Sequence, residues 1–86
     1  MTNLVKNYIN LLDIDKLKSF ALKNDINLND EKLNYLLDLV KNNFDDIILN
    51  DEKYLSDIKD NIDSINYEKI ENLYYKYKKK YKGYLF

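Results

Sequence analysis

The sequence has no histidine, cysteine, tryptophan, arginine or proline, and its only glycine is Gly83. Without cysteine, disulfides, thiolate zinc sites and a cysteine nucleophile are excluded. Without histidine, the chain lacks the commonest general base and the commonest transition-metal ligand. Without arginine, it lacks the bidentate fork that clamps phosphates and reads guanine. These absences predict no catalytic residue, no metal site and no cofactor, so we expect a protein that is not an enzyme.

The shortage of glycine and proline also bears on the fold class. Tight β-hairpin turns and β-bulges usually need glycine, so a sheet protein is not expected. The chain has 86 residues, of which 45% are hydrophobic and 34% charged, which is ordinary for one soluble globular domain. No apolar run approaches the ~20 residues that cross a bilayer. Acidic residues come too early for a signal peptide, so we expect a cytoplasmic protein with no membrane span.

Four helix starts share one local pattern. A large apolar residue precedes Asn or Asp, and another large apolar residue follows four positions after the Asn or Asp. The Asn or Asp oxygen then caps the helix, and the apolar pair packs across its first turn as a hydrophobic staple. The four instances are Leu12-Asp13 with Leu17, Leu28-Asn29 with Leu33, Leu49-Asn50 with Tyr54, and Ile65-Asn66 with Ile70.

These starts predict five helices, at about residues 3–12, 14–24, 28–44, 51–61 and 67–82. The third is the central helix, because it carries apolar residues on two sides. Whether it ends near Asn43 or continues to Leu49 is left open, since Asn42 and Asn43 favour a break while Ile47 and Ile48 keep the apolar stripe in phase. We expect one domain over residues 1–86, a small irregular or orthogonal all-α bundle. Its predicted core is Leu33, Leu36, Leu37, Val40 and Phe44, with a second strip of Tyr35 and Leu39, and helix 1 contributes Leu4, Val5, Tyr8, Ile9 and Leu12.

A helix-turn-helix is considered and rejected for residues 14–44. Asp25 stands where the turn of that motif has glycine. The would-be recognition helix also opens with Asp30 and Glu31, which would face phosphates. Paired carboxylates elsewhere, such as Asp45 with Asp46, are explained by helix faces and caps rather than by a cation site.

The strongest functional candidate is the basic aromatic tail, residues 75–86. Residues 1–66 carry 8 lysines and 13 acidic residues, whereas residues 67–86 carry 6 lysines and 2 acidic residues. Such a segment fits an acidic partner, an anionic membrane surface, or a nucleic-acid backbone with tyrosines stacked on bases. Alternatively, Tyr74, Tyr77 and Tyr81 face the core and the lysines only keep the helix end soluble. The candidate contact residues are Tyr75, Lys76, Lys78, Lys79, Lys80, Lys82 and Tyr84. The tail of Tyr84, Leu85 and Phe86 is apolar enough to fold back onto the bundle.

The order of segments resembles a known family. The stretches LKSFALKNDINLNDEKLNYLLDLVKNN and NYEKIENLYYKYKKKY, with a capped helix between them, are similar to the domain of unknown function 2624 family of low-GC Gram-positive bacteria. The resemblance covers about Leu17 to Tyr81 and rests on helix order and apolar placement. It implies an all-helical cytosolic domain in a bacterium and assigns no activity and no functional residue.

Two functions are predicted from these features. The first is a non-enzymatic protein-interaction or regulatory domain, since tyrosine is favoured at interfaces. The alternative is weak nucleic-acid binding through the lysines and tyrosines of the last helix. The partner is expected to be another protein in the first case, and the oligomeric state is left open.

Overall fold

The computed structural model describes residues 2–80, with residues 2–5 described by their backbone alone. Within this part of the chain there are five α-helices and no strand, so the predicted all-α bundle is confirmed. The helices are α1 (Thr2–Leu11), α2 (Ile14–Lys23), α3 (Asp30–Leu49), α4 (Asp51–Asn61) and α5 (Ser64–Lys80).

Helix α3 is the centre of the bundle, as predicted, because it packs against α1, α2 and α4. Leu33 is only 1% exposed, the lowest exposure in the core, and Leu36 is also buried. Leu37, Val40 and Phe44 are half-buried. The predicted second strip is also present, since half-buried Tyr35 and Leu39 pack against a cluster formed with α4.

Much of the core lies in two linked clusters, one toward α2 and one toward α4. On the α2 side the buried residues are Ala21, Ile26 and Leu33. On the α4 side they are Leu36, Ile58 and Ile62. Half-buried Leu17, Leu28 and Ile70 pack against both clusters, so the two form one continuous apolar interior.

Helix α3 continues to Leu49 but is kinked at Asn43, where φ is −130° and ψ is 16°. The Asn43 side chain donates a hydrogen bond from Nδ2 to the backbone carbonyl of Leu39, 2.9 Å away. An asparagine that bonds to its own helix backbone offers that carbonyl an alternative partner and bends the helix. The asparagines therefore mark a kink at Asn43, and the apolar residues Ile47 and Ile48 mark the continuation of the helix beyond it.

Two of the four predicted caps are confirmed. At the start of α2, Asp13 Oδ1 accepts a hydrogen bond from the Lys16 backbone N–H at 2.9 Å. At the start of α3, Asn29 Oδ1 accepts one from the Lys32 backbone N–H at 2.9 Å. Both capping residues have extended backbone angles, as an N-cap requires.

The predicted cap at Asn50 is wrong, although α4 begins where expected. The Asn50 side chain makes no capping hydrogen bond. Its Nδ2 instead donates to Asp46 Oδ1 at 2.8 Å, and the other oxygen of Asp46 accepts from the hydroxyl of Tyr54. These two hydrogen bonds lower the pKa of Asp46 because they stabilise its charged form. The contact with Asp46 in α3 turns the Asn50 side chain away from α4, and its oxygen therefore accepts no hydrogen bond from the first turn of α4.

The predicted start of the last helix is also wrong, because α5 begins at Ser64. The cap is Asp63, whose Oδ2 accepts a hydrogen bond from the Asn66 backbone N–H at 3.0 Å. The staple predicted for Ile65 does not form, since Ile65 is 68% exposed. Asn66 is therefore the third residue inside the helix and not its cap.

The side chain of Asn66 instead forms hydrogen bonds between α5 and the α2–α3 turn. Its Oδ1 accepts from the Asn27 N–H at 3.2 Å, and its Nδ2 donates to the Asn27 carbonyl at 3.0 Å. One turn further along α5, Lys69 Nζ donates to the Asp25 carbonyl at 2.8 Å and lies 3.0 Å from Asp25 Oδ2. These polar contacts hold the turn and the start of α5 together.

The end of α2 is a Schellman motif. The Ile26 N–H donates to the Ala21 carbonyl at 2.8 Å, and the Asp25 N–H donates to the Leu22 carbonyl at 3.1 Å. Ile26 and Ala21 also meet in the core, which supplies the usual apolar contact of this motif. Asp25 has φ 60° and so occupies the left-handed position that usually holds glycine.

Candidate functional site

Four of the predicted contact residues share the exposed side of the last turns of α5. Tyr75 is 44% exposed, and Lys76, Lys79 and Lys80 are exposed as well. Residues four apart are neighbours on a helix, so Lys79 lies beside Tyr75 and Lys80 lies beside Lys76. We call these four residues the α5 basic face. It brings together three ammonium groups and one aromatic ring at the surface.

Lys78 belongs to a different environment. Its Nζ lies 2.5 Å from Asp51 Oδ2, and only 30% of the Lys78 side chain and 17% of the Asp51 side chain are exposed. The hydroxyl of Tyr74 donates to the same oxygen at 3.3 Å. The hydrogen bond from Lys78 is the main reason that the pKa of Asp51 is below its ordinary value. Lys78 thus links α5 to the first turn of α4, and its charge is directed inward.

The three tyrosines near the end of α5, Tyr74, Tyr75 and Tyr77, differ in exposure, although the rings of Tyr74 and Tyr75 are in edge-to-face contact with centroids 5.3 Å apart. Tyr74 and Tyr77 are half-buried, in agreement with the alternative interpretation of these two residues. Burial and the neighbouring Asp51 raise the pKa of Tyr74. The ring of Tyr77 packs against Phe20 of α2, with the ring centroids 6.1 Å apart. Only Tyr75 is turned to the surface among the three. Tyr81, Lys82 and Tyr84 lie outside the described residues.

Two open grooves were not foreseen from the sequence. The larger, of about 350 Å³, lies between α1 and α2. Its lining is Tyr8, Asp15, Lys16, Ser19, Phe20 and Lys23. We call it the α1–α2 groove. Tyr8 was expected on the buried side of helix 1 but is 59% exposed, because it forms a wall of this groove. Apolar spacing alone did not distinguish a groove wall from a core position.

The second groove, of about 300 Å³, lies between α3 and α4 and is more acidic. Its lining includes Asp57 and Asp60. Asp57 Oδ2 accepts a hydrogen bond from the Tyr35 hydroxyl at 2.5 Å. Burial and this hydrogen bond raise the pKa of Tyr35 to about 12. Among residues 2–80 no group of three or more acidic side chains is placed to hold a metal ion.

The turn between α2 and α3 removes one of the two arguments against a helix-turn-helix, the one based on Asp25. Asp25 adopts the positive φ that such a turn requires, so its identity does not count against the motif. The second argument remains, because Asp30 and Glu31 at the start of α3 are both exposed. Acidic residues at that position would repel phosphates.

Comparisons with known proteins add no further constraint. No protein-family model, no curated protein and no solved structure matches the chain. The resemblance to the domain of unknown function 2624 family therefore stays a prediction. None of the helices over residues 2–80 combines the length and the apolar character needed to cross a bilayer.

Proposed function

We propose that this chain is a non-enzymatic, cytoplasmic helical domain that binds another protein, in an interaction or regulatory role, through the α5 basic face. The observation that carries the proposal is the exposure of Tyr75 between three surface lysines, while its neighbours Tyr74 and Tyr77 are half-buried. A large aromatic residue left at the surface of a small bundle, where its neighbours pack inward, is a good candidate for an interface anchor.

The chemistry of the α5 basic face indicates the kind of protein it binds. Lys76, Lys79 and Lys80 supply positive charge that attracts an acidic surface and accelerates association. The Tyr75 ring can bury apolar area while its hydroxyl keeps a hydrogen-bond partner. The proposed partner is therefore a protein with an acidic segment that includes an apolar residue. Lys78 is left out of the contact set because it is engaged with Asp51.

Site-specific crosslinking tests this proposal. A photoreactive amino acid replaces Tyr75, and crosslinked products are identified from cells that express the chain, after nuclease treatment. We expect a protein product that disappears in the triple variant Lys76→Glu, Lys79→Glu, Lys80→Glu. Lys59→Glu, at an exposed position of α4, is the matched control and should keep the product. A product that survives the triple variant, or no reproducible product, would contradict the proposal.

The second candidate, weak nucleic-acid binding, is favoured by the same four residues. Three adjacent ammonium groups can follow a phosphate backbone, and the exposed Tyr75 ring can stack on a base. Lysine without arginine supplies charge but little base specificity. For three phosphate contacts on a single strand, the affinity should fall with salt at a logarithmic slope of about −2.

Fluorescence anisotropy with labelled single-stranded DNA and RNA separates the two candidates. Binding at low salt that is lost in the triple variant but kept in Lys59→Glu would support the nucleic-acid function. Flat titrations with both probes would reject it. Lys78→Glu is avoided in both experiments, because it would place a second carboxylate against Asp51 and disturb the α4–α5 contact.

A further inference from the structure

The second groove, which we call the α3–α4 groove, combines apolar and acidic residues. Leu39 of α3 and Tyr54 of α4 supply its apolar surface. Lys53 lies at the end nearest the start of α4, where its Nζ is 5.3 Å from the centroid of the Tyr54 ring. Asp57 and Asp60 follow one and two turns further along α4, and both are exposed. The groove is therefore acidic toward the end of α4.

The carboxylate of Asp57 is already ordered at the groove. Its Oδ2 accepts the hydrogen bond from the Tyr35 hydroxyl at 2.5 Å. Because the pKa of Tyr35 is raised to about 12, this hydroxyl stays protonated near neutral pH and the negative charge remains on Asp57. An ordered carboxylate loses less conformational entropy when it pairs with a cation of a partner.

The α5 basic face carries the kind of side chain that the groove can hold. A volume of about 300 Å³ is at the lower limit for a small-molecule pocket, and it suits one large side chain of a protein partner. The ring of Tyr75 is 44% exposed and is in edge-to-face contact with the half-buried ring of Tyr74, with centroids 5.3 Å apart. This contact restricts the orientation of Tyr75, which is an advantage for an interface anchor.

The charges of the two surfaces are complementary in sign and in spacing. On α5, Lys76 and Lys80 are four residues apart, which is about 6 Å along the helix axis. On α4, Asp57 and Asp60 are three residues apart, which is about 5 Å. Two ammonium groups of one chain can therefore pair with two carboxylates of another while the Tyr75 ring lies between the helices of the groove.

We propose that the acidic surface bound by the α5 basic face is the α3–α4 groove of a second copy of this chain. Tyr75 then packs against Leu39, and the lysines of the face pair with Asp57 and Asp60. This inference rests on the proposed function, because it names the partner of the same face. The two surfaces are different, so the association is head-to-tail, and each chain offers one face and one groove.

Sedimentation velocity of two variants tests the pairing. The face variant carries Lys76→Gln, Lys79→Gln and Lys80→Gln, and the groove variant carries Asp57→Asn and Asp60→Asn. Both remove charge without reversing it, and an asparagine at position 57 can still accept the hydrogen bond from the tyrosine hydroxyl. At low salt we expect the wild type to associate beyond a dimer as its concentration rises. Each variant alone should associate about tenfold more weakly.

An equimolar mixture of the two variants shows whether face and groove bind each other. The face variant keeps its groove and the groove variant keeps its basic face, so the mixture should form a complex. This complex should stop at two chains, because its remaining face and groove are both neutral. Glu31→Gln with Glu68→Gln is the matched control, since it removes two charges from exposed positions outside both surfaces and should associate like the wild type.

Four results would overturn the inference. They are a wild type that stays monomeric at low salt, a groove variant that associates as well as the wild type, a mixture that forms no complex, and a control that associates as weakly as the groove variant. The proposed function is judged separately by the crosslink from Tyr75 in cells. A monomeric wild type together with crosslinks to other proteins would keep the proposed function and reject only the second copy as its partner.

Discussion

Replacing Asp25 by glycine should stabilise this protein, although Asp25 forms an ion pair. The residue occupies the left-handed position of the Schellman motif at the end of α2, with φ 60°. The left-handed region raises the free energy of a residue with a Cβ atom by about 1–2 kcal/mol. For aspartate the cost is near the lower end, because its short polar side chain can form local hydrogen bonds in this conformation. Glycine removes this cost. The motif itself stays, because both of its hydrogen bonds use backbone atoms.

Two effects oppose the gain, and only one of them is screened by salt. Glycine loses more backbone entropy on folding, which costs about 0.5–1 kcal/mol. The substitution also removes the ion pair with Lys69, but 84% of the Asp25 side chain is exposed. Exposed pairs contribute about 0.2–1 kcal/mol and are screened by salt. The Asp25 carbonyl still accepts the hydrogen bond from Lys69 in the variant. In high salt, where the ion pair is screened, we therefore expect a net gain of at most about 0.5 kcal/mol.

A comparison of three proteins isolates the backbone effect. Asp25→Ala removes the same carboxylate as Asp25→Gly but keeps a Cβ atom in the left-handed region. We expect the glycine variant to exceed the alanine variant by about 1 kcal/mol at any salt concentration, which is about 4–8 °C in Tm for a domain of this size. Urea unfolding and thermal melts at low and high salt measure this difference. If the two variants were equally stable, the backbone strain assigned to Asp25 would be refuted.

Three other predictions concern caps and titrating groups. Asn29→Ala should cost about 1 kcal/mol because its side chain caps α3, whereas Asn50→Ala should cost clearly less, and urea unfolding compares them. The lowered pKa of Asp51 means that its pair with Lys78 stabilises the fold above the ordinary carboxyl pKa of about 3.9 and is lost as the pH falls through the lower folded value. Asp51→Asn should therefore lose less stability than the wild type on acidification from about pH 5 to pH 2, and equal losses would contradict the assignment. The pKa of Tyr35, raised to about 12, makes the fold less stable as the pH rises from about 10 to 12, and Tyr35→Phe should reduce this alkaline loss in thermal melts.

The number and order of the helices were predictable, because they depend on local patterns. The apolar spacing of residues 51–62 places Tyr54, Leu55, Ile58 and Ile62 on one face, and all four are buried. The start of α5 was misplaced by three residues because two overlapping patterns compete there. Ile62-Asp63 with Tyr67 has the same form as Ile65-Asn66 with Ile70. The helix starts at the first pattern because Ile62 is part of the core, whereas Asn66 bonds to a turn that is 39 residues away in sequence. A contact over that distance leaves no signal in the local sequence.

The candidate site was only partly predictable for a related reason. The clustering of lysine and tyrosine near the C-terminus is a property of composition and could be read directly. Which of these side chains face outward depends on the direction from which α4 and α2 contact α5. Lys78 is drawn toward Asp51 and Tyr77 toward Phe20, and both partners are far away in sequence. The tertiary structure was therefore needed to show that Tyr75 is exposed while Tyr77 and Lys78 face inward.

The attachment of α5 has a consequence for the order in which the bundle opens. No described side chain of α5 is fully buried. Its apolar residues, such as Ile70, are half-buried against the core, and Asn66 and Lys69 add polar contacts to the α2–α3 turn. Helices α2, α3 and α4 in contrast share the deepest apolar contacts around Leu33 and Leu36. Since local opening is easiest where few fully buried apolar contacts break, α5 should detach before α2, α3 and α4 separate from one another. A ligand that binds α5 alone would then restrain an element more labile than these three helices and slow its amide exchange.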